Sequence, residues 1–161
     1  MNNESAYCGL YCKACAIYIA TENNDEGELQ RLAEIMKVSI KEIPCKGCRS
    51  NMLSPHCRNC GFTKCARDKG LANCEDCKEF PCSELVEFQK KAPHRAELFE
   101  SAKYRKGNGL ELWLKRMEKD YACKECGTII SPYSTSCRKC GSSCGNDFII
   151  RNKSVLREKR K

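Results

Sequence analysis

Sixteen of the 161 residues are cysteine, and twelve of these stand in six Cys-x-x-Cys pairs: Cys12/Cys15, Cys45/Cys48, Cys57/Cys60, Cys74/Cys77, Cys123/Cys126 and Cys137/Cys140. Cys8, Cys65, Cys82 and Cys144 stand alone. Two residues between thiols make a turn tight enough for both sulfurs to face one ion, which is how thiolate metal sites are assembled. The first chemistry to consider is therefore metal ligation, with Zn2+ at several sites as the expected cofactor.

The most specific spacing lies near the C-terminus. Cys123-Lys-Glu-Cys126-Gly127 is followed, ten residues on, by Cys137-Arg-Lys-Cys140-Gly141. Glycine after each second cysteine permits the left-handed backbone that aims amides at sulfur. Four thiolates close a tetrahedron and leave no open position for a substrate, so a structural site is expected. The spacing predicts a β zinc ribbon, with Asp147-Phe148-Ile149-Ile150 as its closing strand and Cys144 as a spare thiol.

Eleven cysteines remain upstream: Cys8, Cys12, Cys15, Cys45, Cys48, Cys57, Cys60, Cys65, Cys74, Cys77 and Cys82. All are candidate metal ligands, and their partition stays open. One scheme joins Cys45/Cys48 to Cys57/Cys60, and Cys65 to Cys74, Cys77 and Cys82. An interleaved scheme joins Cys45/Cys48 to Cys74/Cys77, and Cys57/Cys60 to Cys65 and Cys82. Eleven is not a multiple of four, so one site is incomplete, shares a sulfur or recruits another ligand; His56 is the nearby candidate. Cys8-x3-Cys12-x2-Cys15 has the spacing of the cluster cysteines of radical S-adenosylmethionine enzymes. Those enzymes need a β/α barrel, for which this chain has neither the length nor the strand–helix alternation. An iron–sulfur cluster of another type at Cys8, Cys12 and Cys15 is the alternative to zinc there.

No Ser-His-acid or phosphate-loop arrangement is present, and no catalytic residue is assigned. The N-terminal residues are polar, without a basic stretch followed by an apolar one, and no run approaches the roughly 20 apolar residues of a membrane span. A cytoplasmic, reducing setting follows, in which thiols meet metal and not each other. The formal charge of +8 overstates the basicity, because three tetrathiolate sites around divalent ions bring it to about +2. Lysines that offset thiolate charge are weak grounds for a nucleic-acid ligand.

The elements that position these sulfurs are mostly helical. Residues 12–20 read as a short helix. Leu29, Leu32, Ala33 and Met36 follow the i, i+3, i+4, i+7 spacing of an amphipathic helix from Asp25 to Lys37. Residues 45–82 read as loops and short hairpins held by metal. Ser83 can cap a helix through Leu85, Val86 and Phe88. Pro93 opens another with Leu98, Phe99 and Ala102 on its buried side; Gly107-Asn108-Gly109 breaks it, and Leu110, Trp113, Leu114 and Met117 resume the spacing. Residues 151–161, with six basic side chains and one acid, read as a solvated, mobile tail. The expected fold is a small, metal-stabilised α+β protein: an α-rich cysteine-rich domain over 1–92, a helical connector over 93–120, a β zinc ribbon over 121–150 and a basic tail over 151–161.

Tyr7-Cys8-Gly9-Leu10-Tyr11-Cys12-Lys13-Ala14-Cys15, Pro44-Cys45-Lys46-Gly47-Cys48, Cys57-Arg58-Asn59-Cys60, Lys64-Cys65-Ala66, Asn73-Cys74-Glu75-Asp76-Cys77 and Phe80-Pro81-Cys82 together resemble an uncharacterised prokaryotic family, a cysteine-rich domain of unknown function. The likeness covers about residues 5 to 90. Members sometimes carry a C-terminal zinc ribbon. The resemblance implies a small cytoplasmic metal-binding protein of bacteria or archaea, and no activity. The function expected is a non-enzymatic module that presents a metal-organised surface to protein or nucleic acid, with no membrane partner. Lys124, Arg138, Lys139 and the tail are the candidate contacts. The alternative is an iron–sulfur or redox-active protein using Cys8, Cys12 and Cys15.

Overall fold

The computed structural model describes residues 4–158. Eight α-helices run in order among the described residues: α1 (Ala16–Glu22), α2 (Glu26–Met36), α3 (Pro55–Arg58), α4 (Gly61–Asp68), α5 (Ser83–Lys90), α6 (Leu98–Tyr121), α7 (Asp147–Arg151) and α8 (Lys153–Glu158). Three 3-10 turns, Cys12–Ala14, Cys74–Asp76 and Pro93–Arg95, link them.

The apolar periodicity of α2 is realised as read. Asp25 caps its N-terminus by accepting from the Glu28 amide at 2.9 Å, and Lys37 ends it in a left-handed conformation. Leu29 and Ala33 bury against Ala20 of α1 and Ile43, closing a small core of their own.

α6 is the spine. Gly109 adopts φ +81° and ψ 168° inside it, a conformation open to glycine and costly for other residues. Twelve helical residues span about 18 Å, yet Trp113 Nε1 donates to Ser101 Oγ at 2.8 Å and Ser101 reaches Met117 Sδ at 3.6 Å. The two halves of α6 therefore fold back on each other at Gly109 as a helical hairpin. Trp113, Met117 and Tyr121 then pack with Tyr11, Ala14, Phe148 and Leu156, with Tyr121 stacked on Phe148 and Trp113 edge-on to Tyr11. The N-terminal cysteine loop lies against the other half of the hairpin. Gly9, at φ +101°, sits where a Cβ would come within 3.1 Å of Ala102 Cβ.

Three expectations need correction. The α+β class with a C-terminal β zinc ribbon is replaced by an α-helical chain: 53% is helical, 3% is strand or bridge, and the described residues hold no sheet. Only an isolated bridge, Ala122 to Ile129, touches the segment where the ribbon was expected. Pro132 has no amide to donate, and Ser131 to Ser134 closes a turn, so no strand extends from Ile130. The anticipated strand Asp147–Ile150 is the start of α7, because Asn146 Oδ1 accepts from the Ile149 amide at 2.8 Å and starts a helix.

Second, residues 45–82 contain α3 and α4 in place of hairpins. Third, the tail is docked as far as it is described. Arg151 pairs with Glu97 at 2.9 Å and Asp120 at 3.1 Å, and Leu156 is buried in the core. Residues 159–161 of that tail lie outside the described residues.

Asn146 is fully buried and joins this region to the spine, its Nδ2 donating to Tyr121 O at 3.3 Å and Ile130 O at 3.1 Å. Asn146→Ala removes a helix cap and two bonds to buried carbonyls, a loss of about 2–3 kcal/mol. Asn146→Ser restores the cap share alone. Thermal melts of the three proteins check this ordering, and equal melting temperatures would show that the side chain carries no such load.

Candidate metal centre

Cys123, Cys126, Cys137 and Cys140 converge, their sulfurs all within 4.8 Å of one another. Cys123 and Cys140 are 3.7 Å apart, and Cys126 and Cys137 are 3.6 Å apart. Two copies of one local turn produce this. The Cys123 amide donates to Thr128 O at 2.8 Å, and the Gly127 amide to Cys123 O at 2.9 Å. The Cys137 amide likewise donates to Ser142 O at 2.7 Å, and the Gly141 amide to Cys137 O at 2.8 Å. Gly127 and Gly141 share the left-handed conformation, at φ +72° and +75°. That backbone aims the Thr128 amide at Cys126 Sγ and the Ser142 amide at Cys140 Sγ.

The electrostatics follow from four thiols crowded together. The Thr128 hydroxyl and amide pull Cys126 down to about 6. The Ser142 amide pulls Cys140 down as well, but burial and the three neighbouring thiols outweigh it and push that thiol up to about 12. Cys126 thus ionises easily and Cys140 does not, and a bound cation would favour the thiolate form of both. The donor set and spacing fit a tetrahedral divalent ion. Cys144 lies outside the set, exposed, with its sulfur 3.4 Å from Glu125 Oε1.

The basic residues around the turns are largely engaged within the chain. Lys124 pairs with Asp147 at 2.9 Å. Arg138 pairs with Asp25 and Glu28, fastening the second turn to the start of α2.

All sixteen cysteines are free thiols. Among the described residues, the C-terminal four are the one group of three or more potential ligands gathered this closely. The eleven N-terminal cysteines form a looser assembly. Cys8 and Cys12 are buried in an apolar cluster with Leu85 and Leu98, and Cys48, Cys74 and Cys82 pack against it. Cys15 is exposed at the start of α1, so the expected Cys8/Cys12/Cys15 triad does not close to the same spacing. Cys45 lies under α1, its amide donating to Thr21 Oγ1 at 3.1 Å. Cys57 sits on α3, Cys60 immediately precedes α4, and Cys65 is exposed on α4. Cys77 Sγ is 3.9 Å from Lys69 Nζ. His56 is exposed on α3 and joins no group of gathered ligands.

Cys8, Cys45, Cys48, Cys57 and Cys74 are all pushed toward the protonated form. Contact with Cys57 and burial push Cys45 up, and contact with Cys12 pushes Cys48 up. Cys57 is lowered by Cys45 but raised more by Cys48 and burial, to about 12. Burial raises Cys8 and Cys74, each to about 12.

Residues that are not cysteine organise the assembly, and cysteine spacing does not reveal them. Arg49 donates to Ser5 O at 3.0 Å, to Ala72 O at 2.8 Å and to Asn73 Oδ1 at 2.9 Å, and it lies over the Tyr7 ring at 3.9 Å. One guanidinium thus clamps the segments carrying Cys8, Cys48 and Cys74. Glu75 and Arg105 form a buried bidentate pair at 2.5 and 2.8 Å, and Arg105 also donates to Ala6 O at 3.2 Å. An arginine directly after Cys48 and a glutamate directly after Cys74 were visible in the sequence, without anything there to say what they meet. Thr128 and Ser142, each two residues past a knuckle's second cysteine, were a readable signal.

A family model described as a protein of unknown function (DUF3795) matches residues 4–87. Neither a curated protein nor a solved structure matches the chain.

Proposed function

Because the chain belongs to the DUF3795 family, whose function is unknown, we propose from its residues that it is a zinc protein acting as a non-enzymatic interaction module, with Cys123, Cys126, Cys137 and Cys140 holding one structural Zn2+. The sulfur spacing carries the reading. A Zn–S bond of about 2.3 Å gives a tetrahedral edge of about 3.8 Å. The Cys123–Cys140 and Cys126–Cys137 separations are 3.7 and 3.6 Å. Four-iron clusters place each thiolate on a different iron and need wider spacing. Four sulfurs fill the coordination sphere, which supports a structural ion and not a Lewis-acid catalyst.

Internal pairing of Lys124, Arg138 and Arg151 supports a protein partner over nucleic acid, because cations already spent on carboxylates release few counterions on binding a polyanion. No helix among the described residues is long and apolar enough to cross a membrane.

A single iron on the same four sulfurs is the second reading, since tetrahedral thiolate suits both metals. An iron–sulfur centre at Cys8, Cys12 and Cys15 is a third, favoured by the burial of Cys8 and Cys12 among apolar side chains. Elemental analysis and absorbance of anaerobically purified protein separate these. A colourless protein rich in zinc, from which Cys126→Ser removes one equivalent, supports the proposal. Stoichiometric iron with absorption near about 400 nm assigns the site to iron. Metal-free protein with oxidised half-cystines overturns both metals.

A further inference from the structure

We propose that Cys12, Cys45, Cys48 and Cys57 form a second tetrathiolate metal site, a ligand set that divides both the Cys12/Cys15 and the Cys57/Cys60 pairs. It extends the metal-binding reading to the N-terminal part and does not depend on the ion at Cys123, Cys126, Cys137 and Cys140.

The four thiols neighbour one another in pairs: Cys45 interacts with Cys57, Cys57 with Cys48, and Cys48 with Cys12, while no three of their sulfurs gather as closely as the C-terminal four. The four thus run as a connected string. One rotamer step about χ1 moves a cysteine sulfur by about 3 Å, enough to draw such a string around one ion.

The backbone here also directs amides at sulfur, through a turn whose left-handed glycine lies between the two cysteines and not after them. Gly47 has φ +92°, and the amides of Gly47 and Ser54 are directed at Cys45 Sγ. The Lys46 amide donates to Met52 O at 2.9 Å and closes the loop that carries Cys48. Amides aimed at a sulfur stabilise it as a thiolate, which is of use where the sulfur binds a cation.

Ser54 supplies an independent observation. It is buried, and its hydroxyl finds no oxygen or nitrogen partner among the described residues; the Cys57 thiol lies beside it. A buried hydroxyl without a partner costs free energy. Donation to a metal-bound Cys57 thiolate would satisfy it.

Cys60 looks elsewhere. It is in electrostatic range of Cys8 and Cys74. Asn59 ends α3 after Cys57, and Cys60 starts α4, so the chain redirects between the two thiols. The set therefore agrees with neither pairing available from spacing, both of which keep Cys57 and Cys60 together.

The test is alkylation of the zinc-loaded full chain with iodoacetamide, read by peptide mass spectrometry. Cys57→Ser is expected to make Cys12, Cys45 and Cys48 reactive together, whereas Cys60→Ser leaves those three protected. Exposure of Cys45 and Cys48 by Cys60→Ser overturns the ligand set, as does continued protection of Cys12 in Cys57→Ser. Because a serine variant can simply misfold, the unmutated chain is also titrated with a chelator. Release of Cys12, Cys45, Cys48 and Cys57 in one step, separate from Cys60, supports the site. Release of Cys57 and Cys60 in the same step, or protection of Cys15 in place of Cys12, overturns it. The same digest reports Cys123, Cys126, Cys137 and Cys140 separately, so failure of either site is distinguishable from failure of the other.

Discussion

Cys137→Ser unfolds residues 122–146 while α1 and α2 stay folded. The local apolar cluster among the described residues consists of Cys123, Ile130 and Cys137, with Cys126 and Ile149 against them. Ile129, Ile130 and Ile149 together cannot offset the conformational entropy of ordering more than twenty residues, which costs about 1–2 kcal/mol per residue in backbone alone. Bound zinc supplies about 10–16 kcal/mol of apparent free energy in small thiolate modules, comparable to the whole stability of a domain. Removing one ligand therefore removes most of what orders the segment. Asn146 then loses the Ile130 carbonyl it holds, so α7 loosens with it. The helical pair α1–α2 has a separate core in Ala20, Leu29, Ala33 and Ile43 and is expected to survive. Amide exchange resolved by segment measures this: protection vanishes over 122–146 in Cys137→Ser and in chelated protein, and returns when zinc is restored to the latter. Undiminished protection of Ile130 and Gly141 in the variant would mean that polypeptide contacts alone hold the turns.

Glu75→Ala destabilises the chain by about 3–5 kcal/mol, the cost of leaving one member of a buried ion pair without its partner. The Glu75 and Arg105 side chains are 1% and 3% exposed. With the carboxylate gone, the Arg105 guanidinium keeps only the Ala6 carbonyl and the face of Trp113, 5.0 Å to the ring centroid. Neither replaces a desolvated anion. Replacing both partners, as Glu75→Leu with Arg105→Met, recovers most of the loss, because no charge is then buried. Urea midpoints of the two single variants and the double variant form the cycle. Equal destabilisation by the single Glu75→Ala and by the double would place the cost in shape, not charge. The loop Cys74–Asp76 is also tied to α6 through Lys106 Nζ and Glu75 O at 2.7 Å, so the Cys74 and Cys77 thiols become more reactive as that loop detaches.

Local signals were the legible ones. The i, i+3, i+4, i+7 series in α2 needs only its own residues and an Asp cap, and it appears where expected. The Gly107–Gly109 break appears as the Gly109 kink, and the Trp113/Met117 stripe is packing against Ser101 and Tyr11. Near the C-terminus cysteine spacing encodes which thiols gather but not the backbone around them. Glycine-bearing turns bring sulfurs together without any sheet, and the apolar run Phe148-Ile149-Ile150 reads as a strand although Asn146-Asp147 before it starts a helix. The tail misled in a similar way. Its charges suggested solvent, whereas Arg151 finds Glu97 and Asp120, carboxylates 54 and 31 residues away.

What the chain alone determined is the gathering of Cys123, Cys126, Cys137 and Cys140, because each half closes through bonds spanning about six residues and the two halves are copies. What only the tertiary structure decided is which of the eleven upstream thiols face one another. Cys8, Cys48 and Cys74 come from segments far apart in the chain, and they are drawn into one cluster by Arg49 reaching Ser5 and Ala72 and by Glu75 reaching Arg105. Spacing encodes contacts within a turn; contacts between distant segments are set by buried charge and packing, which the spacing of cysteines does not contain.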